Sequence, residues 1–328
     1  MTKIVCFGPG PRFKGGIANY NTSLAKAFDK KENTEVHIVS WTQQYPAIIP
    51  RDFIDRKSRA DQLEGTAIKV HYITNYNNPF SWQQTVSLIR SLQPDLVVIQ
   101  WAIAVQGIPL GYIARRLRSA RVRVVFDLHF VIQKEGSALD NRFTRFGIKA
   151  ASGYVVHAGQ TAAQLQTLFP LKKFQVLAPG ADTDENKAIK VVRLFHPVYD
   201  MFKPDPEFDA ETEKKQLGLR QHVFLFFGFI RKYKGLHQAI EAFARLAHER
   251  DDVSLLVVGE SFWQTLDQNK LGTKIKTALF GTAKKLFLRK QDDEQNYRPL
   301  DLIKDYGVED KVVVVNEFVP NEAVKSAY

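Results

Sequence analysis

The sequence predicts an α/β protein made of two doubly wound halves, each a parallel sheet with helices on both faces. Three observations carry this expectation. Short apolar runs rich in Val, Ile and Phe alternate with segments of helical periodicity, the pattern of buried strands joined by crossover helices. The stretch His196-Pro-Val-Tyr-Asp-Met-Phe-Lys-Pro-Asp-Pro206 breaks that alternation with three prolines, and a charged segment from Asp209 to Lys215 follows it. The length of 328 residues suits two domains at roughly 100 to 200 residues each. The expected division is 1–203 and 204–328.

In the first half, strands are predicted near Lys3–Phe7, Val36–Ser40, Ile68–Ile73, Leu96–Gln100, Arg123–Leu128, Gly153–His157, Phe174–Leu177 and Val191–Phe195. Each is a short run of β-branched or aromatic residues, and helical patterns lie between many of them. The first helix is expected from about Ile17 to Phe28. The second half restarts with strand Val223–Phe227, a helix from about Leu236 to His248, strand Ser254–Val258, a long basic segment and strand Val312–Val315. In such sheets ligands are expected at the carboxyl ends of the strands.

The loop after the first strand reads Gly8-Pro-Gly-Pro-Arg-Phe-Lys-Gly-Gly16. It is not a Walker A loop, because Gly15 is followed by Gly16 and Ile17 where Lys-Ser/Thr is required. Nor is it a dinucleotide fingerprint, since position 13 is Phe and the second strand ends in Ser40 instead of an acidic residue. A Gly-Gly pair at a helix start lets a ligand approach the backbone closely; taken alone, the loop equally suits a Gly-Pro turn.

The most informative stretch is Phe224-Leu-Phe-Phe-Gly-Phe-Ile-Arg-Lys-Tyr-Lys-Gly-Leu236. A strand ends at Gly228, two cations follow at Arg231 and Lys234, and Gly235 opens a helix. Helix N–H groups and two cations converging on one phosphate-sized position make an anion site.

Together, this stretch and Lys14-Gly-Gly-Ile-Ala18 resemble the corresponding segments of family 4 glycosyltransferases, which have the GT-B fold. The resemblance implies two Rossmann-like domains facing across a cleft, an acceptor-side domain at 1–203 and a nucleotide-sugar donor domain at 204–328. It covers nearly the whole chain, but matches a complete first domain and only the first part of a second, so a truncated donor domain is expected. The implied reaction is metal-independent, retaining transfer of a sugar from a nucleotide-diphosphate donor to a glycan or lipid-linked acceptor, with no cofactor. Arg231 and Lys234 would bind the donor diphosphate and stabilise the charge that grows on it, and Gly15 and Gly16 would admit the phosphates or acceptor. His129, at the end of Phe126-Asp-Leu-His129, would contact the transferred sugar, with Glu135 nearby. His196 and Asp200 are assigned no chemical role.

Two departures stand out. Family members commonly carry Arg directly after the glycine of the phosphate strand, whereas Phe229 stands there and the arginine comes two residues later. That shift keeps a side chain on the same side of an extended segment. A Glu-x7-Glu spacing occurs at Glu241/Glu249 and Glu309/Glu317, but neither pair sits in a loop before a helix. Without the loop for ribose and sugar, these 328 residues alone are expected to bind a donor poorly and to associate through an exposed sheet edge. A non-catalytic sugar-nucleotide or membrane-surface binding module therefore stays open beside the transferase. A GT-B nucleotide-sugar epimerase lacks its acid and base carboxylates here.

The formal charge of +11 is patch-like: Arg115, Arg116, Arg118, Arg121 and Arg123 form one acid-free cluster, and seven cations from Lys270 to Lys290 form another. Without those twelve, the rest of the chain carries −1. The 270–290 segment has an apolar helical face and suits an anionic membrane surface or packing on the second sheet. Nucleic-acid binding lacks a reading motif and interleaved aromatics. No apolar run reaches the roughly 18 residues of a membrane span, and the N-terminus is not a signal peptide. The expected location is the cytoplasm, peripheral to the membrane. A single cysteine, Cys6, and no zinc-type histidine spacing predict neither disulfide nor structural metal.

Overall fold

A computed structural model describes residues 1–46, 49, 52–132, 138–181, 188–199, 201–202, 205–261 and 297–327. Glu135, Asp200 and the 270–290 segment lie outside the described residues. The chain forms two compact units: Met1–Ala47 with Asp61–Met201, and Ile48–Ala60 with Phe202–Tyr328.

The first unit contains β1 (Thr2–Phe7), β2 (Thr34–Gln43), β3 (Lys69–Asn75), β4 (Leu96–Trp101), β5 (Val124–Leu128), β6 (Gly153–Val156), β7 (Phe174–Leu177) and β8 (Ile189–Arg193). They make one parallel sheet in the order β3-β2-β1-β4-β5-β6-β8-β7. Its helices are α1 (Gly16–Asp29), α2 (Pro79–Leu92), α3 (Gly107–Ser119), α4 (Ala138–Ile148) and α5 (Gly159–Leu168). Because β1 lies between β2 and β4, the chain leaves it toward opposite ends of the sheet, creating a switch point at the carboxyl edge. The central strands are apolar on both faces, as the continuous hydrophobic runs predict: Val5, Phe7, Val97, Ile99, Phe126 and Leu128 are fully buried. Cys6 lies among them as a free thiol pushed up to about 12 by burial and by the charge of Asp127, so it packs as a small apolar group.

The second unit contains a parallel sheet of β9 (His222–Phe227), β10 (Val253–Val258) and β11 (Val312–Val315), in the order β11-β10-β9. With it are α6 (Ala210–Gln216), α7 (Leu236–Glu249), α8 (Asp301–Asp305) and α9 (Asn321–Ala327). Leu236, Ile240, Phe243, Ala244 and Ala247 recur at helical spacing, so one face of α7 packs on Val253, Leu255 and Val257 of β10. Among the described strands β9 is an edge, and Phe224, Leu225 and Phe227 are each about half exposed. Ile48–Ala60 packs with this unit: Lys57 Nζ lies 2.6 Å from Glu317 Oε2, and the Arg59 N–H donates to Glu322 Oε1 at 2.7 Å. Among the described residues no helix is long and apolar enough to cross a membrane.

Candidate active site

In the first unit the loop after β1 is held by its neighbours. The Gly10 N–H donates to Ser40 Oγ at 2.8 Å, which gives Ser40 a partner inside β2, a strand that runs on to Gln43 instead of ending at the serine. Arg12 donates from Nη2 to the Trp41 carbonyl at 2.7 Å and stacks over Tyr72 at 3.9 Å, so this loop cation braces the loop. Phe13 is buried beside it. The loop ends at Gly15, whose φ of 109° and ψ of 166° are accessible in practice only to glycine. No side chain caps α1, and a Cβ added to Gly16 would meet nothing within 4 Å. Its first-turn N–H groups therefore lie at an uncapped helix start with space in front of Gly16.

One turn into α1, Tyr20 is ringed by three imidazoles from successive strand ends: His129 after β5, His157 after β6 and His196 after β8. The ring centroids lie 4.9, 5.5 and 5.0 Å from that of Tyr20. His129 and His157 stack on each other at 5.4 Å with 21° between their planes. His129 Nε2 is 2.8 Å from Gln100 Oε1, and His157 Nε2 is 2.8 Å from Asp127 Oδ1. Gln100 is itself buried against Gly8, where an added Cβ would sit 2.7 Å from Gln100 Cγ. Burial, reinforced by His157 and His196, brings His129 down to about 4 despite the opposing charge of Asp127; its ring is neutral at pH 7. The Tyr20 hydroxyl is held well above the ordinary tyrosine range, first by burial and then by Asp127, so it stays a hydrogen-bond donor.

In the second unit β9 ends at Phe227 and is followed by Gly228, and Arg231 precedes a 3-10 turn, Lys232–Lys234, that runs through Gly235 into α7. Gly235 takes the left-handed conformation, φ 78°, and caps α7 without a side chain. Tyr233 has the Arg231 guanidinium 4.9 Å from its ring centroid and Lys234 Nζ at 5.5 Å, so both cations share one exposed ring beside the helix start. At the neighbouring end of β10, Gly259 has φ 147°, and a Cβ there would overlap the Gly228 carbonyl. The two strand ends touch through backbone alone. This leaves a glycine-lined edge next to two cations and an uncapped helix of 14 residues, an arrangement that attracts an anion. Among the described residues no group of three His, Cys, Asp or Glu is placed to hold a metal ion.

The family model for glycosyltransferase family 4 matches residues 14–185, more than half of the chain. The chain belongs to the family 4 glycosyltransferases. A second model, glycosyl transferases group 1, matches residues 207–328 of the transferase. No curated protein matches the chain. Among solved structures, Anabaena HepE in complex with UDP is similar at 15% identity and a TM-score of 0.56, over 99% of this chain and 72% of that one. The α,α-trehalose-phosphate synthase of Burkholderia vietnamiensis is similar at 12% identity and a TM-score of 0.53, over 99% and 74%. An E. coli trehalose-6-phosphate structure bound with UDP-2-fluoro glucose matches at 13% identity and a TM-score of 0.53, over 99% and 76%. At such identities the likeness speaks to the fold, which is of the GT-B class.

Of the residues singled out in the transferase sequence, Gly15, Gly16 and His129 lie along the carboxyl edge of the first sheet, linked by Tyr20 on α1. Arg231 and Lys234 lie together at the carboxyl edge of the second. Sequence reasoning missed Tyr20, Gln100, Asp127 and His157, and it left His196 without a role. One signal was available: β5, β6 and β8 are each followed within three residues by a histidine. Parallel strands bring such ends side by side.

Proposed function

We propose that the transferase moves a sugar from a nucleoside-diphosphate donor to a glycan or lipid-linked acceptor with retention at the anomeric carbon. The observation that carries this reading is the β9–Gly228–Arg231–Lys234–Gly235–α7 edge, where two cations flank a helix start that no side chain caps. The UDP ligands of the similar structures support the same donor class. Residues 204–328 hold the donor, and residues 1–203 present the acceptor through the Gly15-Gly16 edge, His129 and Glu135.

As the bond from the anomeric carbon to the phosphate oxygen breaks, the electron pair stays on that oxygen and negative charge grows on the diphosphate. Arg231, Lys234 and the α7 N–H groups stabilise that charge more in the transition state than in the ground state, which lowers the barrier. The acceptor oxygen bonds to the anomeric carbon on the face being vacated, and the leaving phosphate oxygen takes its proton. His129, neutral at pH 7, contacts the sugar as a hydrogen-bond partner and carries no charge into the step. Incubation with UDP-glucose and GDP-mannose across a panel of lipid-diphosphate and oligosaccharide acceptors tests the proposal. An α-linked product from an α-linked donor is expected; a β-linked product refutes retention, and failure of UDP and GDP to bind refutes the donor class.

A further inference from the structure

Asp127 is a buried carboxylate for which the transfer step has no use. It is 2% exposed in β5, opposite Gln100 in the β4–β5 register and two residues before His129. Gln100, Asp127 and His129 therefore line one face of the sheet at its carboxyl edge. An ionised carboxylate buried there is costly unless donors surround it. His157 Nε2 does so at 2.8 Å, and the Tyr20 hydroxyl is electrostatically coupled to the same carboxylate. The opposite ring nitrogen, His157 Nδ1, is buried without a hydrogen-bond partner. Moving the ring proton to Nδ1 would bury an unpaired N–H and turn a lone pair toward the carboxylate, so the geometry selects the Nε2–H tautomer. His157 is thereby fixed in rotation, and its ring is the surface on which His129 stacks. His129 is gripped at its other end by Gln100 and at its edge by the ring of Tyr20.

We propose that Asp127 is a positioning residue of the transfer site: through His157 it sets the orientation of the His129 ring that faces the sugar. The inference rests on the sugar-contact role given to His129 above, whereas the hydrogen-bond arrangement behind it does not. The ionisable groups around the cluster are Cys6 from β1, Tyr20 from α1, and His129, His157, His196 and Tyr199 from the ends of β5, β6 and β8.

Asp127→Asn tests this with little change of volume. A carboxylate can only accept from His157 Nε2, whereas a carboxamide can turn its N–H toward that nitrogen and so admit the other tautomer. In the full chain labelled at histidine, ¹⁵N NMR is expected to show His157 as Nε2–H in the wild type, and as Nδ1–H or a mixture in Asp127→Asn. With UDP-glucose as donor probe, kcat is expected to fall at least tenfold while the donor KM stays within threefold, as orientation is lost and donor affinity is kept. His157→Gln should show the same split, and the double variant should be no slower than the slower single one, because the two act as a unit. If Asp127→Asn does not fold, His157→Gln carries the kinetic test. An unchanged His157 tautomer in Asp127→Asn, or a kcat within twofold of wild type in either folded variant, overturns the proposal. A wild type that transfers no sugar defeats the proposed function instead, and the ¹⁵N measurement still decides the role of Asp127 within the cluster.

Discussion

Truncating the cations beside α7 should weaken nucleoside-diphosphate binding in an unequal way. A hydrogen bond to a charged group contributes about 1.5 to 3 kcal/mol, or roughly a 10- to 150-fold change in Kd. Arg231 is half-buried, has a planar fork that suits a diphosphate and is steadied on Tyr233 at 4.9 Å. Arg231→Ala should therefore fall at the upper end, near a hundredfold. Lys234 is exposed and more strongly screened by solvent, so Lys234→Ala should fall near tenfold. Both cations are expected to act on one diphosphate, so the double variant should lose less than the sum of the singles. Isothermal titration with UDP and GDP at low and moderate salt measures all three, with the wild-type affinity itself falling as salt rises. Arg245→Ala, which removes an exposed charge elsewhere on α7, is the control and should bind as wild type. Wild-type affinity in both Arg231→Ala and Lys234→Ala would refute the anion-site argument.

Four further outcomes are expected. Gly259→Ala should destabilise the second unit by more than about 3 kcal/mol, since a φ of 147° and overlap with the Gly228 carbonyl cannot both be relieved; its thermal unfolding should shift well below that of wild type. Gly15→Ala should cost about 1 to 3 kcal/mol of stability for its backbone conformation, whereas Gly16→Ala, facing open space, should unfold at the wild-type temperature and show its effect on ligand binding. Stability should fall on acidification: His129, at about 4 in the folded chain and about 6.5 unfolded, binds its proton more readily when unfolded. The native state thus loses about 2 kcal/mol between pH 7.5 and pH 5, read as a lower urea midpoint, and His129→Gln should flatten that dependence. The 270–290 segment should carry the protein onto anionic vesicles at low salt in a co-sedimentation assay; equal sedimentation with neutral vesicles would exclude an electrostatic surface contact.

Local order in this protein was legible because it is written in contiguous residues. The apolar runs at Thr2–Phe7, Leu96–Trp101 and Val253–Val258 declare buried strands, and the periodicity of Leu236–Glu249 declares a helix with one apolar face. The cationic edge of the second sheet is equally local: strand end, Arg231, Lys234 and Gly235 follow one another, so their convergence needs only a strand, a turn and a helix in sequence. The histidine cluster is different in kind. Tyr20, Gln100, Asp127, His157 and His196 are far apart in the chain, and each by itself reads as an ordinary strand-end or helix residue. They meet because the parallel order β1-β4-β5-β6-β8 sets the carboxyl ends of those strands in one row under α1. The same holds for Ser40, which meets Gly10 only through the pairing of β1 with β2, and for Lys57, whose partner Glu317 lies in another part of the sequence. Side-chain periodicity states which face of an element is buried, but not which other element covers it. That choice, with the hydrogen-bond partners it creates for a buried carboxylate such as Asp127, is made only when the sheet closes.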